Sequence, residues 1–181
     1  MSIISFGEFE EGKKYKVLDE RAMRASAGIM LALAMVAFSN GFLLQKFIVI
    51  PYITGFLMIN FIIGVFINPK FSPTFFIGSL IVRKQSPLPI GAIQKKFAWS
   101  LGLTLSAVIF ILSLLLQNDI SYFDSVCLLC IVCISLLFLE TAFGVCVGCQ
   151  LYFVALKVKL VSPTKENEKP NCMGDTCAVS D

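Results

Sequence analysis

Residues 126–156 form a run of 31 positions with one ionised side chain, Glu140. Crossing the hydrocarbon core of a bilayer takes about 20 residues of helix. Three further runs are long and apolar enough to do the same, at residues 22–39, 47–67 and 97–116. Inside lipid every backbone N–H and C=O must be satisfied within its own segment, so each run is expected to be helical. The expected fold class is all-α, a polytopic membrane protein with four transmembrane helices. Composition agrees: 57% of residues are apolar and 15% charged, whereas a soluble domain is about 25% charged. Three parts are expected: a cytoplasmic N-terminal segment (1–18), a four-helix membrane domain (19–160) and a flexible tail (161–181). The N-terminal segment is charged and mixed, and lacks the apolar centre of a cleavable signal.

The fifteen lysines and arginines suggest an orientation. Five precede the first run (Lys13, Lys14, Lys16, Arg21, Arg24), and Lys46 alone follows it. Five lie between the second and third runs (Lys70, Arg83, Lys84, Lys95, Lys96), none between the third and fourth, and four after it. Positive charge collects on the cytoplasmic side of membrane proteins. The pattern predicts a membrane protein with both termini in the cytoplasm. It also accounts for the net charge of +3 without a nucleic-acid partner; the expected surroundings are the lipid bilayer.

Local signals divide the links. Asn40-Gly41 is a turn dipeptide, and Pro51 stands where the first turns of a helix tolerate it. Ser72-Pro73 reads as an N-cap with proline at the first helical position. The apolar residues 75–82 that follow are too few to span, so a short interfacial or re-entrant helix is expected between spans two and three, ended by Pro87 and Pro89. Trp99 is expected at the cytoplasmic interface of span three.

The chemistry-bearing residues are the cysteines and Glu140. A carboxylate within a span costs about 2.5 kcal/mol or more unless it is paired or used. By helical depth, Arg24 from span one and Asn60 from span two reach the same level, so a contact of Glu140 with Arg24 or Asn60 is expected. If the fourth helix is continuous, Cys133, Gly144 and Gly148 share the face of Glu140, and Cys146 and Cys149 point away from it, near water. Cys127, Cys130 and Cys133 read as ordinary apolar positions. Cys146-Val147-Gly148-Cys149 is a thiol pair that can bond, bind a soft metal or carry sulfur. Cys172 and Cys177, in the polar tail, are candidate auxiliary thiols. Together the four would suit zinc or copper(I), since the chain has no histidine.

Four local patterns resemble the bacterial integral membrane family known as domain of unknown function 4395. They are Asp19-Glu20-Arg21-Ala22-Met23-Arg24 leading to Ala27-Gly28, Asn68-Pro69-Lys70-Phe71-Ser72-Pro73, Lys96-Phe97-Ala98-Trp99 before Gly102, and Leu139-Glu140 through Gly144-Val145-Cys146-Val147-Gly148-Cys149. The resemblance covers roughly residues 19–155 and omits the tail cysteines. It implies an integral membrane protein of few helices and brings no activity with it.

Three functions remain open. One is thiol-based redox or sulfur handling at the cytoplasmic face, with a cytoplasmic thiol or sulfur-carrier protein as partner. Another is soft-metal binding or transport. The third is a structural or accessory membrane subunit with inert cysteines. The chain has no nucleotide-binding glycine loop and no Ser–His or Cys–His pair, which argues against a conventional hydrolase.

Overall fold

The computed structural model describes residues 6–9 and 16–158. The tail, with Cys172 and Cys177, lies outside the described residues. Four helices are long and apolar enough to cross a membrane, the make-up of a multi-pass membrane protein. They are α1 (Glu20–Phe42), α2 (Val49–Ile62, extended by a π-helical turn Ile63–Ile67), α4 (Ala92–Leu115), and α5 (Phe123–Phe143, preceded by a 3-10 turn Ile120–Tyr122). Two shorter helices, α3 (Pro73–Ile81) and α6 (Val147–Lys157), complete the helical part. α1 packs against α3 and α5, α2 against α4, and α6 against α4. Tyr52, Ile59, Phe66, Ile111, Leu128 and Phe138 are among the large apolar side chains left on the outer surface of the spans, the composition lipid requires.

A three-stranded antiparallel sheet caps one end of the bundle, an element the hydropathy pattern does not announce. Strands β1 (Glu8–Phe9), β2 (Lys16–Asp19) and β3 (Pro89–Gly91) run in that order, with Val17 opposite Gly91 and Leu18 opposite Ile90. Asp19 ties the sheet to the bundle. Its carboxylate accepts from the N–H of Arg21 at 3.0 Å, capping α1, and from the N–H of Leu88 at 3.1 Å. Pro89 sits on the edge strand, where a missing N–H is tolerated.

The Asn68–Pro73 segment is a double cap. Asn68 accepts from the N–H of Lys70 at the head of the 3-10 turn Pro69–Phe71, and Ser72 accepts from the N–H of Phe75 at the head of α3. Each cap is followed by proline at the first helical position, as expected for Ser72-Pro73. Asn60, fully buried in α2, accepts from the N–H of Thr74 at 3.1 Å and from its hydroxyl at 3.0 Å. The Thr74 hydroxyl also lies 2.8 Å from that of Ser26. One polar network thus joins α1, α2 and α3. Gly78 lets α3 lie directly on α1: a Cβ there would stand 2.8 Å from the Ser26 nitrogen and 2.9 Å from the Ala22 oxygen.

Three expectations are corrected here. The first hairpin does not turn at Asn40-Gly41. The helix runs on through Phe42, Asn40 returns its side-chain N–H to the Val36 carbonyl at 2.8 Å, and Gly41 packs on Ile50. Trp99, in the first part of α4, packs inside the bundle and not on its outer surface. It is 4% exposed, wedged between Gly64, Phe6 and Phe61. The fourth apolar run is two helices, because Gly144 adopts a left-handed conformation (φ 67°) and ends α5.

Candidate functional site

The break at Gly144 builds the site. The carbonyl of Leu139 accepts from the N–H of both Gly144 and Val145, closing the end of α5. The chain then turns extended at Cys146 and begins α6. Cys146 is the N-cap: its sulfur accepts from the N–H of Cys149 at 3.3 Å. Cys149, three positions into the helix, brings its own sulfur to 2.7 Å from that of Cys146. A CxxC sequence starting at an N-cap therefore converges its two sulfurs, and the free N–H groups of the helix head favour an electron-rich sulfur there.

Gly148 lies between the two cysteines and settles what they face. A Cβ on it would meet the Cβ of Ala98 at 2.6 Å and its Cα at 2.8 Å, so α6 crosses α4 in direct contact. Tyr152, a turn further along α6, stacks at a tilt on Phe97, with centroids 5.5 Å apart. One turn before Ala98 on α4 is Lys95. Its ammonium is 2.7 Å from the Glu140 carboxylate, with side-chain exposures of 3% and 18% respectively. The same ammonium interacts electrostatically with both Cys146 and Cys149. Cation, carboxylate and two thiols thus gather where α4, α5 and α6 meet, through the Lys95–Glu140 and Cys146–Cys149 contacts.

The expected partners of Glu140 lie elsewhere. Asn60 serves the α1–α2–α3 network and also donates to the Met30 sulfur at 3.6 Å. Arg24 pairs with Glu20 on its own helix, Nε to Oε1 at 3.4 Å. Its guanidinium fills the space where a side chain on Gly144 would stand, so it abuts the end of α5 without being the Glu140 counter-ion. The apolar run that starts at Phe97 leaves Lys95 in a link, and hydropathy gives it no reason to be buried. α4 begins at Ala92 instead, which turns Lys95 inward. The signal in the sequence is the Lys95-Lys96 doublet immediately ahead of an apolar run: helical continuation sets the two side chains about 100° apart, so one can face the bundle while the other faces out.

The cysteine expectations divide similarly. Cys146 and Cys149 do not point away from the packed face toward water; they are 3% and 0% exposed. The continuous-helix phase fails beyond Phe143, so Gly144 and Gly148 do not form one helix face. Cys133 and Glu140 do line the same cavity, as their phase on α5 suggests. Cys130 is buried, and Cys127 and Cys133 are partly exposed. Among the described residues no three His, Cys, Asp or Glu side chains gather as a metal site; the four-cysteine arrangement for zinc or copper(I) includes Cys172 and Cys177, outside those residues.

A cavity of about 310 Å³ opens beside the pair, lined by α4, α5 and α6 with Met30 and Phe61 at its back. Cys146, Glu140 and Trp99 are in its wall.

No curated protein and no solved structure matches the chain. The family model described as "Domain of unknown function (DUF4395)" matches residues 18–157, which takes in the sheet strand β3, all the helices and the thiol pair, and the chain belongs to that family.

Proposed function

We propose that this protein handles thiol redox equivalents through Cys146 and Cys149 in a bacterial inner membrane. Both termini lie on the cytoplasmic side, and so does the pair. The observation that carries the reading is the convergence of two buried sulfurs to 2.7 Å at the head of α6, beside a buried lysine–glutamate pair. Two thiols so placed can lose two protons and two electrons and join as a disulfide, given modest adjustment of the pair. A dithiol on a cytoplasmic thiol protein would return that disulfide to the reduced pair, itself becoming a disulfide in the exchange. Lys95 supports this chemistry by stabilising negative charge on a sulfur, and Glu140 by taking up or returning a proton. The charge pattern supports the orientation: among the described residues, Lys46 is the one Lys or Arg at the end of the bundle away from the sheet. α3, with Phe76, Ile77, Leu80 and Ile81 exposed, lies at the cytoplasmic interface in this arrangement.

The test is oxidation of the purified, reduced protein by diamide, followed by alkylation and mass mapping, with metal analysis of the same sample. A Cys146–Cys149 bond, lost in Cys146→Ser and Cys149→Ser, is the expected result. Stoichiometric zinc or copper that leaves when these cysteines are replaced would instead establish the soft-metal reading with Cys146, Cys149, Cys172 and Cys177. Neither bond nor metal would leave the protein a structural or accessory subunit.

A further inference from the structure

The geometry points to a lipid-soluble quinone as the oxidant of the Cys146–Cys149 dithiol, bound in the cavity between α4 and α5 and entering from the bilayer; this rests on the dithiol reading above. Burial decides the route. With 0% and 3% of their surfaces exposed, the two cysteines present almost no surface to water. Of the pair, Cys146 is the member that lines the cavity, whose wall also holds Cys133. Leu101, Val132, Leu136 and Leu151 line that cavity and are themselves 39%, 41%, 37% and 48% exposed, so its mouth has an apolar rim made by the membrane-spanning α4 and α5 and the apolar α6. A molecule using this mouth comes from lipid.

The chemistry narrows the class. A dithiol gives up two electrons and two protons together, so its acceptor must take both. A quinone ring does this and is apolar enough for walls made of leucine, valine and tryptophan. The volume of about 310 Å³ is at the lower end of ligand pockets, about 300–1,000 Å³. It suits a ring whose apolar chain runs out through the mouth. A phosphate-bearing acceptor such as a flavin nucleotide fits poorly, because the buried cation, Lys95, is already matched by Glu140. In the reaction both S–H bonds break and one S–S bond forms. The two electrons reduce the quinone, and its two carbonyl oxygens each gain a proton to become hydroxyls. Glu140, at the cavity wall, is placed to pass a proton from the sulfurs toward the ring.

The experiment uses the full chain in phospholipid nanodiscs, reduced with a phosphine, freed of reductant and mixed anaerobically with decylubiquinone. Quinone absorbance and the mass-mapped Cys146–Cys149 bond are followed together, with diamide as a parallel water-soluble oxidant. The expected result is one quinol per disulfide, absent in Cys146→Ser. Leu136→Trp, which narrows the mouth at a partly exposed position, should lower the ratio of quinone-driven to diamide-driven rates by roughly tenfold. Bond formation with diamide but none with decylubiquinone overturns the quinone inference while leaving the dithiol reading standing, and is the result expected if the cavity holds only a lipid acyl chain. No bond with either oxidant overturns both. An unchanged rate ratio in Leu136→Trp shows that the quinone reaches the sulfurs by another path, and the cavity assignment fails.

Discussion

Lys95 and Glu140 are each costly to bury alone, and each makes the other tolerable. Their 2.7 Å contact joins α4 to α5, a pair of helices that otherwise leave a cavity between them. Removing one partner strands a charge, which in buried pairs costs about 3–5 kcal/mol, whereas replacing both with apolar groups is often near neutral. Lys95→Met should therefore destabilise the protein by an amount in that range, and Lys95→Met with Glu140→Leu should recover most of it. Denaturation followed by the fluorescence of Trp99, the single tryptophan, reads both. Additive losses in the double variant would show that the pair is not coupled. The same variants separate stability from chemistry: the recovered double variant should still form the Cys146–Cys149 bond more slowly than wild type, because Lys95 no longer stabilises a sulfur anion.

At the scale of elements, two devices position the site. Gly144 is the first. Its left-handed backbone would strain any side chain, and a Cβ would collide with the Arg24 guanidinium. Gly144→Ala should destabilise by about 1–3 kcal/mol and slow disulfide formation, since the start of α6 would move. Equal stability and equal rate would show that the α5–α6 turn tolerates other geometries. The Asn60–Thr74 contact is the second. It satisfies the first turn of α3 from within α2. Asn60→Leu leaves the Thr74 N–H buried without its acceptor and should cost about 1–3 kcal/mol. This change lies in the α1–α2–α3 network, so the oxidation rate of the thiol pair should stay as it is. A parallel loss of thiol reactivity would mean that the two regions are coupled.

For the whole molecule, the testable quantity is orientation. Reporters joined at Asp119 and after Asp181 should give external and cytoplasmic signals respectively, following the distribution of five, one, five, none and four basic residues. A cytoplasmic signal at Asp119 would reverse the topology and put the thiol pair on the outer face. The four spans were legible in sequence because bilayer thickness imposes a length and lipid imposes a composition, and both are local properties of a run of residues. Caps were legible for the same reason: Ser72-Pro73 acts on a neighbour three residues away. The fate of Glu140 was not local. Its partner is 45 positions earlier in the chain, and helical depth admitted Arg24 and Asn60 as readily as Lys95. The sheet was hidden because its strands are two to four residues long and join segments about 70 residues apart. Hydropathy along 126–156 showed one apolar run, since apolar side chains look alike whether a helix continues or breaks. Only the packed structure, with Arg24 lying over Gly144 and Ala98 against Gly148, turns that run into two helices. That turn is what brings two cysteines, a lysine and a glutamate to one place. The residues thus determined by themselves that the chain has four helices long and apolar enough to cross a membrane, while steric contact between helices distant in sequence decided where its reactive groups meet.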